Sequence, residues 1–220
     1  MTPRLLLLPA LVLLALPGCF GGRASDAPVH PFSYHVRPEV GQLRRVAVLP
    51  FTRGARIGRA ADVITASMAA SLREIGIHQV VEVDPARSDL IPAHDPVLTE
   101  DISSDQLLRL RDRLNVDGVL IGRVEQFTSF DPIAAGVSVH LVSCLDGETV
   151  WSATGHFDGR RDDVQRDIQA WWRSHQAPSA TSVHGWRTTL QSPSLFTRYV
   201  CDRLVASMTE QEKPKSAKKE

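Results

Sequence analysis

Cysteine is scarce in this chain. Three cysteines in 220 residues cannot build a disulfide scaffold. An excess of either charge is missing too: Lys+Arg is 25, Asp+Glu is 25, and the isoelectric point is near 7.1. Capture of nucleic acid through phosphate neutralisation needs a basic excess, so nucleic acid is excluded as the main partner. Long apolar runs are also absent. The longest, Leu5 to Leu16, is twelve residues, and a membrane-spanning helix needs ~20. No internal repeat, GxSxG elbow, HExxH pair, GxGxxG or Walker pattern occurs. What remains is ordinary globular composition, 43% hydrophobic and 23% charged, in an amount that makes one domain with appendages.

The amino terminus reads as an address. Arg4 precedes the Leu5–Leu16 run, which has the length of a signal-peptide core. The run ends in Leu16-Pro17-Gly18-Cys19. This resembles the lipobox of bacterial lipoproteins, in which a Leu three places before the Cys and a small residue next to it permit cleavage and acylation of the Cys. The resemblance implies that residues 1–18 are removed and that Cys19 carries the lipid. One acyl chain holds a protein to a bilayer only marginally, whereas two or more hold it firmly. Phe20 follows in place of the Asp that retains such proteins at the inner membrane, so the outer membrane is the implied destination.

Beyond the anchor, residues 19–42 are rich in Gly, Pro and Ser without a sustained period, and are read as a tether. The domain is expected over 43–208. Val46-Ala47-Val48-Leu49, stopped by Pro50, reads as a buried strand. Ile64, Met68, Leu72 and Ile75 mark one face of a helix that Gly76 ends. A second strand is expected over 78–83 and a loop over 84–101. The next helix is capped by Ser103 or Ser104, with Leu107, Leu110 and Leu114 on one face. Three strands follow, over 118–130, 136–145 and 149–157, the last two joined by the Asp146-Gly147 turn. Helices over 161–174 and 194–208 complete the domain, and the charged residues 209–220 read as a disordered tail. A β-α-β opening followed by a meander predicts an α/β fold: a single mixed β-sheet of about five strands with helices on both faces.

No set of residues converges on a reaction. Cys144 falls on a strand and Cys201 on the last helix, leaving two readings open: a disulfide stapling that helix, permitted in an oxidising compartment, or two separate buried thiols. His30, His35, His78, His94, His140, His156, His175 and His184 are scattered without metal-ligand spacing. Gly54 and Gly58 sit where dinucleotide folds bind phosphate, but at the wrong spacing, and read as a loop. Asp162 and Asp163 suit the positive end of a helix without catalytic work. Trp171 and Trp172 are neighbours on a helix, pointing ~100° apart. With Trp186 they form either a partner contact, for which Trp is favoured, or a partly buried cluster. Trp151 reads as core.

The stretches VAVLPF (46–51), ADVITASMAASL (61–72), VVEVD (80–84), LRLRDRLNVDGVLIGRVEQF (108–127) and VSVHLVSCLDGETVWSATG (137–155) carry a further resemblance. They resemble the envelope-protein domains shared by CsgG, the TolB amino-terminal domain, LpoB and PelC. The resemblance covers residues 44–158 and is one of strands and turns. It implies a TolB amino-terminal-like sheet and a non-enzymatic periplasmic domain that docks on partners. The expected role is thus an outer-membrane-anchored, periplasm-facing accessory factor of an envelope complex serving export, polysaccharide or the cell wall. Cys19 would link it to membrane lipid; no cofactor or metal is implied, and the envelope protein partners are unnamed. A self-assembling, homo-oligomeric ring for an export channel and a periplasmic enzyme are the alternatives.

Overall fold

The computed structural model describes residues 31–53, 57, 59–86, 102–175 and 185–210. Its frame is a β-α-β unit. Strand β2 (Arg45–Val48) leads through the short β3 (Thr52–Arg53) into helix α1 (Ala60–Ile75), and the chain returns as β4 (Gln79–Glu82), parallel to β2. Helix α1 stops where expected, with Gly76 at φ +70°, a left-handed conformation open to glycine without a Cβ penalty. Helix α2 (Ser104–Leu114) starts at a full capping box: Ser103 Oγ accepts from the Gln106 N–H, and the Gln106 side chain accepts from the Ser103 N–H. It delivers β5 (Gly118–Thr128), parallel to β2 on its other side. Then β6 (Ala134–Ser143) and β7 (Thr149–Asp158) meander antiparallel, turning at Gly147 with φ +76°. Helices α3 (Asp162–His175), α4 (Arg187–Gln191) and α5 (Pro193–Ala206) follow.

The expected α/β class and mixed sheet are present, with more strands than expected. The sheet order is β1-β7-β6-β5-β2-β4, and β3 pairs with β5 beyond the end of β2. Strand β1 (Phe32–Val36) runs antiparallel to β7, and Pro38–Gln42 forms a 3-10 helix. Residues 32–42 are therefore part of the domain, which corrects the tether boundary placed at 42. Phe32 is buried against Phe157, with ring centres 5.9 Å apart, and its Cβ lies against Gly155, where an added Cβ would sit at 2.7 Å. Burying two aromatic side chains outweighs the open composition of the segment around them.

Two cores lie on opposite sides of the sheet. The larger packs α1, α3 and α5 onto Val46, Val48, Leu120, Val139, Leu141 and Trp151. Trp151 is fully buried, as expected, and its Nε1 donates to Ser207 Oγ at 3.0 Å. The smaller packs Leu107 and Leu110 of α2 onto Ala47, Leu49, Val119 and Ile121. Strands β2 and β5 are thus covered on both faces, which is why they read as continuous apolar runs.

Phe51, from the VAVLPF stretch, lies flat on Gly122, from the GVLIGRV stretch; a Cβ at Gly122 would sit 2.5 Å from the Phe51 ring. The two stretches are complementary halves of one contact. Gly122→Ala should therefore force the buried ring to move and destabilise the fold by about 1–3 kcal/mol, the usual cost of overpacking. Urea unfolding of the variant checks this; an unchanged midpoint would contradict it.

Candidate functional site

Helix α2 covers only part of its side of the sheet. Past β5, the same face of β6, β7 and β1 has no helix on it among the described residues. The registers place His35 beside Ser152 and Ser152 beside His140, and in the next row Ser33, Thr154, Ser138 and Arg123 lie side by side. Ser33, His35, Thr154 and His156 are exposed. Their opposite-face neighbours Phe32, Val137, Val139, Trp151 and Phe157 are buried. Period-2 alternation puts Ser33, His35, Ser138, His140, Ser152, Thr154 and His156 on the uncovered side.

This face is flat and mixed in hydrogen-bonding character. Ser138 Oγ donates to Glu125 Oε1 at 2.8 Å, and Ser33 Oγ donates to the Thr154 carbonyl at 3.4 Å. Burial pushes the His140 imidazole below its usual range, so it is neutral near pH 7 and presents one donor and one acceptor. Hydroxyls, imidazoles and one carboxylate on this sheet face can both donate and accept hydrogen bonds.

A second polar concentration lies in a 360 Å³ cleft between α1, α3 and α5. Asp202 accepts from Ser71 Oγ at 2.5 Å and from Trp171 Nε1 at 3.0 Å, with Arg198 Nε at 3.5 Å and His175 Nε2 at 3.8 Å. Asp167 accepts from Tyr199 Oη at 2.8 Å and from Arg203 Nε at 2.9 Å. Burial and the neighbouring Asp167 raise the Tyr199 phenol far above its usual range, which keeps it a neutral donor. Each carboxylate ties helices together: Asp202 joins α5 to α1 and α3, and Asp167 joins α3 to α5. Neither was singled out from the sequence. The available signal was an Asp on each of two helices next to inward-facing aromatic residues, and that pattern alone does not say what it meets.

Of the residues the sequence did single out, Cys19 lies outside the described residues, as do His30, His94, His184, Gly54 and Gly58. The expected strands over 118–130 and 136–145 form a hairpin in the middle of the sheet, with β5 against β2 and β6 against β7. Trp171 is 6% exposed and stacks on His175 with ring centres 4.9 Å apart, so it is a core and network residue and not a partner contact. Its neighbour Trp172 and Trp186 are half-buried and pack on the main core, and the Arg187 guanidinium lies 5.0 Å from the Trp186 ring centre. Cys144 and Cys201 do not meet. Both are free and buried, Cys144 in the core under α2 and Cys201 in the core under α5. Of the two readings left open by the sequence, the structure has two separate thiols on opposite sides of the sheet and not the disulfide.

Burial raises the Cys144 thiol to about 11 and pushes Cys201 higher still, so little thiolate forms near neutral pH. With Cys19 acylated, the native protein should give no fast reaction with a thiol reagent and two equivalents after denaturation without reductant. A count of zero in denaturant would restore the disulfide.

No protein-family model and no curated protein matches this chain. Solved structures similar to it include the PelC dodecamer from Paraburkholderia phytofirmans, 21% identical, covering 61% of this chain and 86% of that one, with a TM-score of 0.44. Lipoprotein GNA1162 from Neisseria meningitidis is 18% identical over 52% of this chain and 82% of its own, with a TM-score of 0.38. E. coli LpoB is 16% identical over 70% and 83%, also with a TM-score of 0.38. PelC and LpoB are two of the groups whose strand-and-turn pattern the sequence resembles.

Proposed function

We propose that this protein is an outer-membrane lipoprotein whose periplasmic α/β domain acts, without covalent chemistry, as an accessory or assembly factor of an envelope complex. The observation that carries the reading is Leu16-Pro17-Gly18-Cys19 at the end of a twelve-residue apolar run behind Arg4. A bilayer anchor of two or more acyl chains fixes the domain to one surface. Anchoring makes later encounters on that surface effectively intramolecular, so a recognition face of modest affinity suffices.

The polar face of β1, β7 and β6 supports the recognition half of this role. It is rigid because its reverse side is the main core, and it presents donors and acceptors without a large exposed apolar area. In the cleft, Asp167 and Asp202 each already hold two or more side chains, a structural use that fits a role without covalent chemistry. The partner class this surface suits is another polar envelope protein.

Replacing Cys19 tests the anchor. The unaltered protein should fractionate with outer membranes and take up labelled palmitate. Cys19→Ala should leave an unprocessed or soluble protein without label. Unchanged membrane fractionation of the variant would refute the lipoprotein reading.

A further inference from the structure

Among the described residues five large apolar side chains stand out of the surface, and two of them are almost wholly exposed: Phe130 at 80% and Leu145 at 83%. They sit at opposite ends of the sheet. Phe130 is at the tip of the β5–β6 hairpin, and Leu145 is at the β6–β7 turn. Single exposed apolar residues are common on protein surfaces and need no explanation of their own. The place where the amino-terminal segment joins the domain separates these two.

The first residue of β1, Phe32, pairs with Gly155, which pairs with Val137. From that row the base of the hairpin at Ala134 is three residues away, about 10 Å along the strand. Leu145 lies eight residues the other way, about 27 Å. Strand β1 runs away from the hairpin tip, so the chain that precedes it enters at the tip end. Between Cys19 and Phe32 stand the twelve residues from Phe20 to Pro31, a contour of at most ~45 Å. With Leu145 facing the bilayer, more than half of that contour is consumed in running back past the sheet. With Phe130 facing it, none is.

The tip is also braced. Ile133 is buried, and the Gly159 N–H donates to the Ile133 carbonyl at 2.9 Å, so the turn is fixed at its base while Phe130 points away from the core.

We propose that the β5–β6 tip rests in the interfacial layer of the membrane that holds the lipid anchor, with Phe130 as its apolar contact. The inference rests on the anchor reading. Its consequence is orientation: two attachments, one acyl and one aromatic, set the axis of the sheet across the membrane surface. The uncovered face then stands upright, open to partners on either side, and does not lie against the lipid.

The test uses the acylated full chain, reconstituted into phosphatidylethanolamine/phosphatidylglycerol vesicles that carry a nitroxide-labelled phosphatidylcholine. F130C and L145C are each labelled with an NBD fluorophore; the buried Cys144 and Cys201 stay unreactive, and the unaltered protein serves as the labelling blank. The label at 130 should shift its emission to the blue and be quenched several-fold more than the label at 145. If the protein floats with the vesicles and the label at 130 is no more quenched than that at 145, the tip proposal fails and the anchor stands. If the acylated protein does not float, the anchor reading fails and the tip proposal goes with it.

Discussion

Unequal covering of one sheet is the constraint on which the rest of this structure depends. All strands share the main core on one side, but on the other side α2 reaches only β4, β2, β5 and the end of β6. A strand covered twice must be apolar on both faces, and one covered once must alternate. Val119-Leu120-Ile121 obeys the first rule, and Ser152, Thr154 and His156 obey the second. Strand β5 makes the change within its own length: Val119 and Ile121 lie under α2, then Arg123 and Glu125 continue the same face beyond it. The polar face begins where the second layer ends.

That constraint explains how much of the fold was legible. The β-α-β frame could be read because its strands are continuous apolar runs and its helices carry strong stops at Gly76 and strong starts at Ser103. Strand β1 could not. FSYHV alternates correctly, but over five residues between Pro31 and Pro38, in a stretch whose composition otherwise resembles a linker. Its identity comes from Gly155, more than a hundred residues away, which leaves room for Phe32. The two-residue β3 and five-residue α4 are too short to carry a period.

The side-chain alternatives stayed open in the sequence for a related reason. Spacing along the chain says that Trp171 and Trp172 diverge but not which of them meets α5. Asp202 settles it by accepting from the Trp171 Nε1. Likewise, Cys144 on a strand and Cys201 on a helix are compatible with a bond until the layers are assigned. Strand parity puts Cys144 under α2, while α5 packs on the other side. The side of the sheet on which a helix packs is a property of the topology, and no local pattern in this sequence encodes it. The uncovered face, by contrast, was half visible in the alternation over 137–141, although its extension across β1 and β7 required the register.

These features describe a domain whose helices are tied together by the part-buried carboxylates Asp167 and Asp202 and which, among the described residues, is open on one polar half-sheet. The central claim is that this half-sheet is where the protein meets its partner. The most direct test is a photo-crosslinking amino acid at Thr154 in cells making the acylated protein, with Asp112 on the exposed side of α2 as the control position. Discrete adducts from position 154 and none from 112 are the predicted result. No adduct at 154, or the same adducts from both positions, would contradict the account.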